Sequence, residues 1–218
     1  MSEQSLNFYK YGNEKAPKNL VILLHGYGSN GQDLISLAPE WAGGMADTLF
    51  ISPDAPFPCE MSGFGFQWFS LENRRDDIMI ANIQQAVPLL NNFIATCAKT
   101  YNIAYDKIAL VGFSQGTMMS LYVAPRHDEV FAGVLGYSGA LLDGQSILDA
   151  PDNYKKFPIS LRHGDADEVV PVEMFEQAHA FLQKAGYSIE GHIVPGLGHG
   201  IDQDGVASGL KFLKKALY

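Results

Sequence analysis

Positive charge is in short supply. The chain carries 15 lysines and arginines against 24 aspartates and glutamates, a formal net charge of −9, whereas a nucleic-acid partner calls for a basic face. Cysteine is scarcer still. Cys59 and Cys97 are the only two, far apart and outside any CxxC or metal-ligand spacing, which argues for reduced thiols over a disulfide framework or a zinc site. Long apolar stretches are missing as well. None approaches the roughly 18 residues of a membrane-spanning helix. The opening segment MSEQSLNFYKYGNEKAPKN has no apolar core of the signal-peptide kind, so a cytoplasmic location is expected. Repeats, low-complexity tracts and linker-like shifts in composition are also absent. Residues 1–218 therefore read as a single domain, and 47% hydrophobic residues supply one sizeable core. Monomer and homodimer both stay open.

What is present is a series of short, unalternating apolar runs: NLVILL (19–24), TLFIS (48–52), KIALVG (107–112), GVLGYS (133–138), ISLRH (159–163) and SIEGHIV (188–194). Runs of this kind fit strands buried on both faces, as in a parallel sheet between helices. The clearest helix spans about 76–101, with a stripe of Ile80, Ile83, Val87, Leu90, Ile94, Cys97 and Tyr101. Steps of three and four inside a compact α/β chain point to a helix lying on its own sheet, with Cys97 as a packing residue. Pro88 lies off the stripe and is a candidate kink. A second helix opens at Pro171, carries Phe175, Ala178 and Leu182, and stops at Gly186. A third carries Val206, Leu210, Leu213 and Leu217. The alternation predicts an α/β fold, a mostly parallel sheet covered on both faces. In such sheets function gathers in the loops at the carboxyl ends of the strands.

One of those loops holds Gly112-Phe113-Ser114-Gln115-Gly116, a G-x-S-x-G pattern between an apolar run and a helical one. It fits a nucleophile elbow, a strained corner that thrusts out its serine and needs glycine on both sides. It fits a tight turn with a hydrogen-bonded serine equally well, so the surroundings must decide. An activated serine needs a base, and the base needs a third group to orient it. Six histidines compete for the first role. His127 and His179 lie away from strand ends, and His192 sits inside a strand. His25 and His163 end strands but open loops suited to other work. His199, in the glycine-rich loop PGLGHGIDQDG after the last strand, is the leading candidate. For the acid, Asp165, Asp167 and Glu168 all lie in the GDADEVVP loop, and position does not separate them.

The segments LLHGYGSNGQDL, GFSQGTM, HGDADEVVP and GLGHG, in this order and spacing, resemble the phospholipase/carboxylesterase family of α/β-hydrolases, which includes acyl-protein thioesterases and small bacterial carboxylesterases. The likeness runs from about Leu20 to the end. It implies an α/β-hydrolase fold without a separate cap domain, with Ser114 as nucleophile, Asp167 as acid and His199 as base. It also implies an oxyanion hole from the backbone N–H groups of Tyr27 and Gln115, which leaves both side chains free to vary and gives His25 the part of bracing the loop. Between the second apolar run and the long helix, Phe57, Met61, Phe64, Phe66, Trp68 and Phe69 crowd a glycine- and proline-broken loop. Some of these pin the loop. With the family as guide, Phe64, Trp68 and Phe69 are expected to wall an acyl site, with Leu141 and Leu142 as weaker candidates. Burial there would hold an acyl chain at about 0.8 kcal/mol per methylene.

The implied reaction is hydrolysis of short- to medium-chain acyl esters through an acyl-enzyme, with no metal and no cofactor. A thioesterase or lysophospholipase using the same residues is the alternative, and a binding protein on a retired hydrolase scaffold is a third reading. Two departures bear on the choice. The HGYGSNGQDL loop lacks the aspartate of the eukaryotic thioesterases' HGLGD, and Thr117 stands where many relatives have glycine.

Overall fold

The computed structural model describes residues 6–218. Its strands are β1 (Phe8–Gly12), β2 (Asn19–Leu24), β3 (Thr48–Pro53), β4 (Phe57–Pro58), β5 (Phe66–Gln67), β6 (Ile108–Phe113), β7 (Gly133–Tyr137), β8 (Ile159–Gly164) and β9 (Ile189–Val194). Seven of them form one sheet in the order β1-β3-β2-β6-β7-β8-β9, while β4 and β5 pair as a small separate hairpin. Only β1 runs antiparallel within the large sheet; every other neighbouring pair is parallel. The helices are α1 (Gly31–Leu34), α2 (Ala38–Ala42), α3 (Asp76–Tyr101), α4 (Gln115–Arg126), α5 (Gly144–Asp149), α6 (Val172–Lys184) and α7 (Gln203–Leu217).

All six apolar runs are strands, and each central one is buried on both sides. Along β2, Leu20, Ile22 and Leu24 face one core with α3, α4 and α6, while Val21 and Leu23 face the other with α2 and α7. Period-two alternation of side chains thus feeds two cores from one apolar run. The expected α3 is present, with Ile83, Leu90, Ile94 and Cys97 buried and Pro88 in its interior. It ends where Asn102 turns left-handed at φ 54°, ψ 49°, a conformation asparagine tolerates. Two details differ from expectation. Pro171 is the cap before α6 and not its first residue. Strand β1 (FYKYG) was not anticipated, because only Tyr9 in it is even half-buried; backbone pairing to the edge of β3 creates it, not an apolar pattern.

Candidate active site

The four loops singled out in the sequence meet at the carboxyl end of the parallel strands. Ser114 follows β6 and opens α4 with φ 53°, ψ −116°. A non-glycine residue there stores about 1–3 kcal/mol of strain, and two features hold it in place. Its N–H donates to Tyr137 O on β7 at 2.9 Å. Its flanking glycines admit no side chain: a Cβ on Gly116 would strike the Leu24 carbonyl, and one on Gly112 the Gly116–Thr117 peptide. The sequence thus buries the start of α4 tightly over β2 and leaves the serine at the corner.

The loop after β2 comes up against this corner. A Cβ on Gly26 would lie 3.1 Å from the Phe113 ring and 3.4 Å from Ser114 Cβ. His25 secures the loop from below. Burial pushes its pKa down, so the ring is neutral, with Nδ1–H donating to Gly26 O at 2.7 Å and Nε2 accepting from Ala55 N at 2.9 Å. The Trp68 indole N–H adds a bond to His25 O at 3.0 Å. His25 is therefore a brace, as expected, and not a base. Among the described residues no protein acceptor engages the N–H groups of Tyr27 or Gln115.

His199, on the loop after β9, places Nδ1 2.7 Å from Asp167 Oδ2. Its ring packs 4.9 Å from that of Phe113, the residue before the serine. Asp167 also accepts from the amides of Val169 and Val170, each at 2.9 Å. Burial alone would raise its pKa. The Val170, His199 and Val169 donors outweigh that and hold the carboxyl below the usual aspartate range. Asp165 is engaged elsewhere: its Oδ1 accepts from Gly196 N at 2.6 Å and fastens the acid loop to the histidine loop. Glu168 is exposed. Geometry separates three acids that sequence position could not.

Ser114, His199, Tyr27 and Gln115 line one open cleft of about 730 Å³, a size suited to a small organic ligand. Its wall corrects the sequence expectation. Of the five side chains assigned to it, only Leu141 and Leu142 line the cleft. Trp68 and Phe69 are 0% and 1% exposed and belong to the core, while Phe64 is 85% exposed at the tip of the β4–β5 hairpin loop. Trp68 and Phe69 are held inward because the Gln115 side chain accepts from Trp68 N and donates to Phe69 O, both at 2.8 Å. That side chain is therefore not free to vary. The apolar lining comes instead from Met61, Leu71, Met79, Met118, Met174 and Phe181. On α6 the signal was legible: Met174 and Phe181 lie two turns apart, off the buried stripe of Phe175, Ala178 and Leu182.

The sequence profile of the phospholipase/carboxylesterase family matches residues 11–217. The chain belongs to that family. A crystal structure of esterase PE8, 37% identical, superposes with a TM-score of 0.91 and covers 98% of this chain and 100% of that one. Acyl-protein thioesterase 1 of Gibberella zeae is 28% identical over 212 residues, 90% of each chain. Esterase YpfH of Escherichia coli K12 is 25% identical over 201 residues, 92% of this chain and 84% of that one. As a member of the phospholipase/carboxylesterase family the protein is an ester hydrolase with the α/β-hydrolase fold. None of its described helices is long and apolar enough to cross a membrane.

Proposed function

We propose that the protein is a serine carboxylesterase that hydrolyses short- to medium-chain acyl esters by two-step acyl transfer, as one catalytic unit in the cytoplasm. The observation that carries this reading is the 2.7 Å contact between Asp167 and His199 beside a strained Ser114 in a shared cleft. Asp167 Oδ2 accepts the Nδ1–H of His199, which leaves Nε2 to take the Ser114 proton as Oγ attacks the acyl carbonyl. The developing oxyanion is met by the uncommitted N–H groups of Tyr27 and Gln115. His199 then protonates the leaving group, and later activates the water that cleaves the acyl-enzyme. The methionine-rich wall supports an acyl site, since unbranched, flexible methionine adapts to chains of differing shape.

The same volume favours a second reading, a thioesterase or lysophospholipase with a longer acyl donor; the Gibberella zeae relative's name points the same way. Hydrolysis of p-nitrophenyl esters from acetate to palmitate, alongside matched acyl thioesters, tests the pair. An optimum at or below octanoate with oxyester preference supports the carboxylesterase. A palmitate optimum or thioester preference favours the second reading. No turnover of any substrate removes both.

A further inference from the structure

Asp167 faces a second imidazole. His163, the last but one residue of β8, lies directly behind it, with the side chains 1% and 0% exposed. Its Nε2 lies 2.8 Å from Val170 O and 3.3 Å from Asp167 Oδ2. A carbonyl oxygen only accepts, so Nε2 carries the ring proton. That N–H bonds Val170 O and presents its positive end to the carboxylate in passing. Val170 is also the residue whose amide holds Asp167 Oδ1. One imidazole therefore acts on the acid twice: through the Val170 carbonyl it anchors the residue whose amide grips Oδ1, and it lies against Oδ2. The Phe175 ring of α6, 6.0 Å away, backs His163 on the core side. His163 does not line the cleft, which excludes it as the base.

The loop connectivity gives this arrangement a purpose. Val169 and Val170 hold only Oδ1, and the partner of Oδ2, His199, sits on a separate loop. Without His163 the direction of Oδ2 would depend on the very residue it has to orient. We infer that His163 is a positioning residue, anchored in the sheet, which sets the plane of the Asp167 carboxylate so that Oδ2 meets His199 Nδ1. This rests on the serine-esterase reading above, in which Asp167 orients the base.

The test compares His163→Phe, which fills the space without a donor, with His163→Gln, whose amide N–H can reach where Nε2 stands. Both are assayed on p-nitrophenyl butyrate, with the low-field proton signal of His199 Nδ1–H followed by NMR. His163→Phe is expected to lower kcat by about 10- to 100-fold, the usual range for groups that support a site from behind. KM should stay within about twofold and the low-field signal should shift or broaden; His163→Gln should recover most of kcat. A kcat for His163→Phe within about twofold of wild type overturns the inference, as do equal losses in the two variants with the signal unmoved. Should neither variant fold, ¹⁵N-histidine NMR of the wild-type protein decides. A proton on Nε2 of His163 supports the assignment, and one on Nδ1 overturns it. Ser114→Ala is run in parallel: retained activity there removes the serine-esterase reading, whereas a flat His163 series with an inactive Ser114→Ala removes only the inference.

Discussion

Thr117 grips Tyr137 from both ends of its backbone. Its Oγ1 donates to Tyr137 O at 2.8 Å and accepts from Tyr137 N at 3.1 Å. The contact ties the first turn of α4, just behind Ser114, to the neighbouring strand β7. The strand makes room for it, since a Cβ on Gly136 or Gly139 would collide with the Thr117 side chain. Thr117 is thus matched to two glycines elsewhere.

Thr117→Ala should accordingly destabilise the fold by about 1–3 kcal/mol, because it removes two buried hydrogen bonds to the Tyr137 backbone, whose carbonyl retains the Ser114 N–H donor. Urea unfolding measures this. A midpoint equal to wild type would mean that the bridge contributes nothing.

Gln115 ties the elbow to the loop that buries Trp68 and Phe69. Gln115→Met keeps the length and the backbone N–H but removes both side-chain bonds. Stability should fall by about 1–3 kcal/mol, and Trp68 fluorescence should report a loosened loop. Wild-type stability and an unchanged spectrum would return the side chain to the freely variable status that its backbone role suggested.

Much of the site could be read without coordinates, and the reasons for the remainder are physical. Ser114 and His199 stand out through local motifs at strand ends, because an elbow and its partner loop need glycine and short polar residues at fixed offsets, whereas Asp167 shares its loop with Asp165 and Glu168 and only the likeness to the family singles it out. The cleft wall is legible only on α6, where Met174 and Phe181 stand off the buried stripe; Met61, Met79 and Met118 come from the hairpin loop, α3 and α4, where no local pattern marks a methionine as facing a cleft instead of a core. Trp68 shows the converse. It looked like a substrate contact in the sequence, yet its N–H groups are used by His25 O and Gln115 Oε1. Edge strand β1 carries no apolar pattern, because pairing to β3, not burial, defines it.

Acid should weaken the fold through carboxyls held below their ordinary values, Asp202 and Asp167 among them. Burial pushes Asp202 upward, but the Arg162 side chain and the Gly205 amide outweigh it, leaving Asp202, like Asp167, below the ordinary value of 3.8. The unfolded state then binds more protons than the native state in this range, so stability rises with pH there. Both contributions are fully present above about pH 5 and are lost as pH falls through and below 3.8. Melting of wild type and Asp202→Asn between pH 7 and 3 checks this. The variant should be less stable at pH 7 with the gap closing toward pH 3, and a constant gap would contradict the assignment.

Cys97 should be inert in the native protein. Burial pushes its thiol up to about 12, so almost no thiolate, the reactive form, exists at pH 8. Iodoacetamide should alkylate Cys97 only after unfolding, read by peptide mass. Native labelling at that site would show that α3 opens.

The most direct measurement is intact and peptide mass analysis after exposure to a fluorophosphonate, which phosphonylates an activated serine. One adduct per chain, located on Ser114 and abolished by Ser114→Ala and by His199→Ala, is the predicted result. No adduct on the wild-type protein, or one on another serine, would contradict the claim that Asp167, His199 and Ser114 act as one catalytic unit.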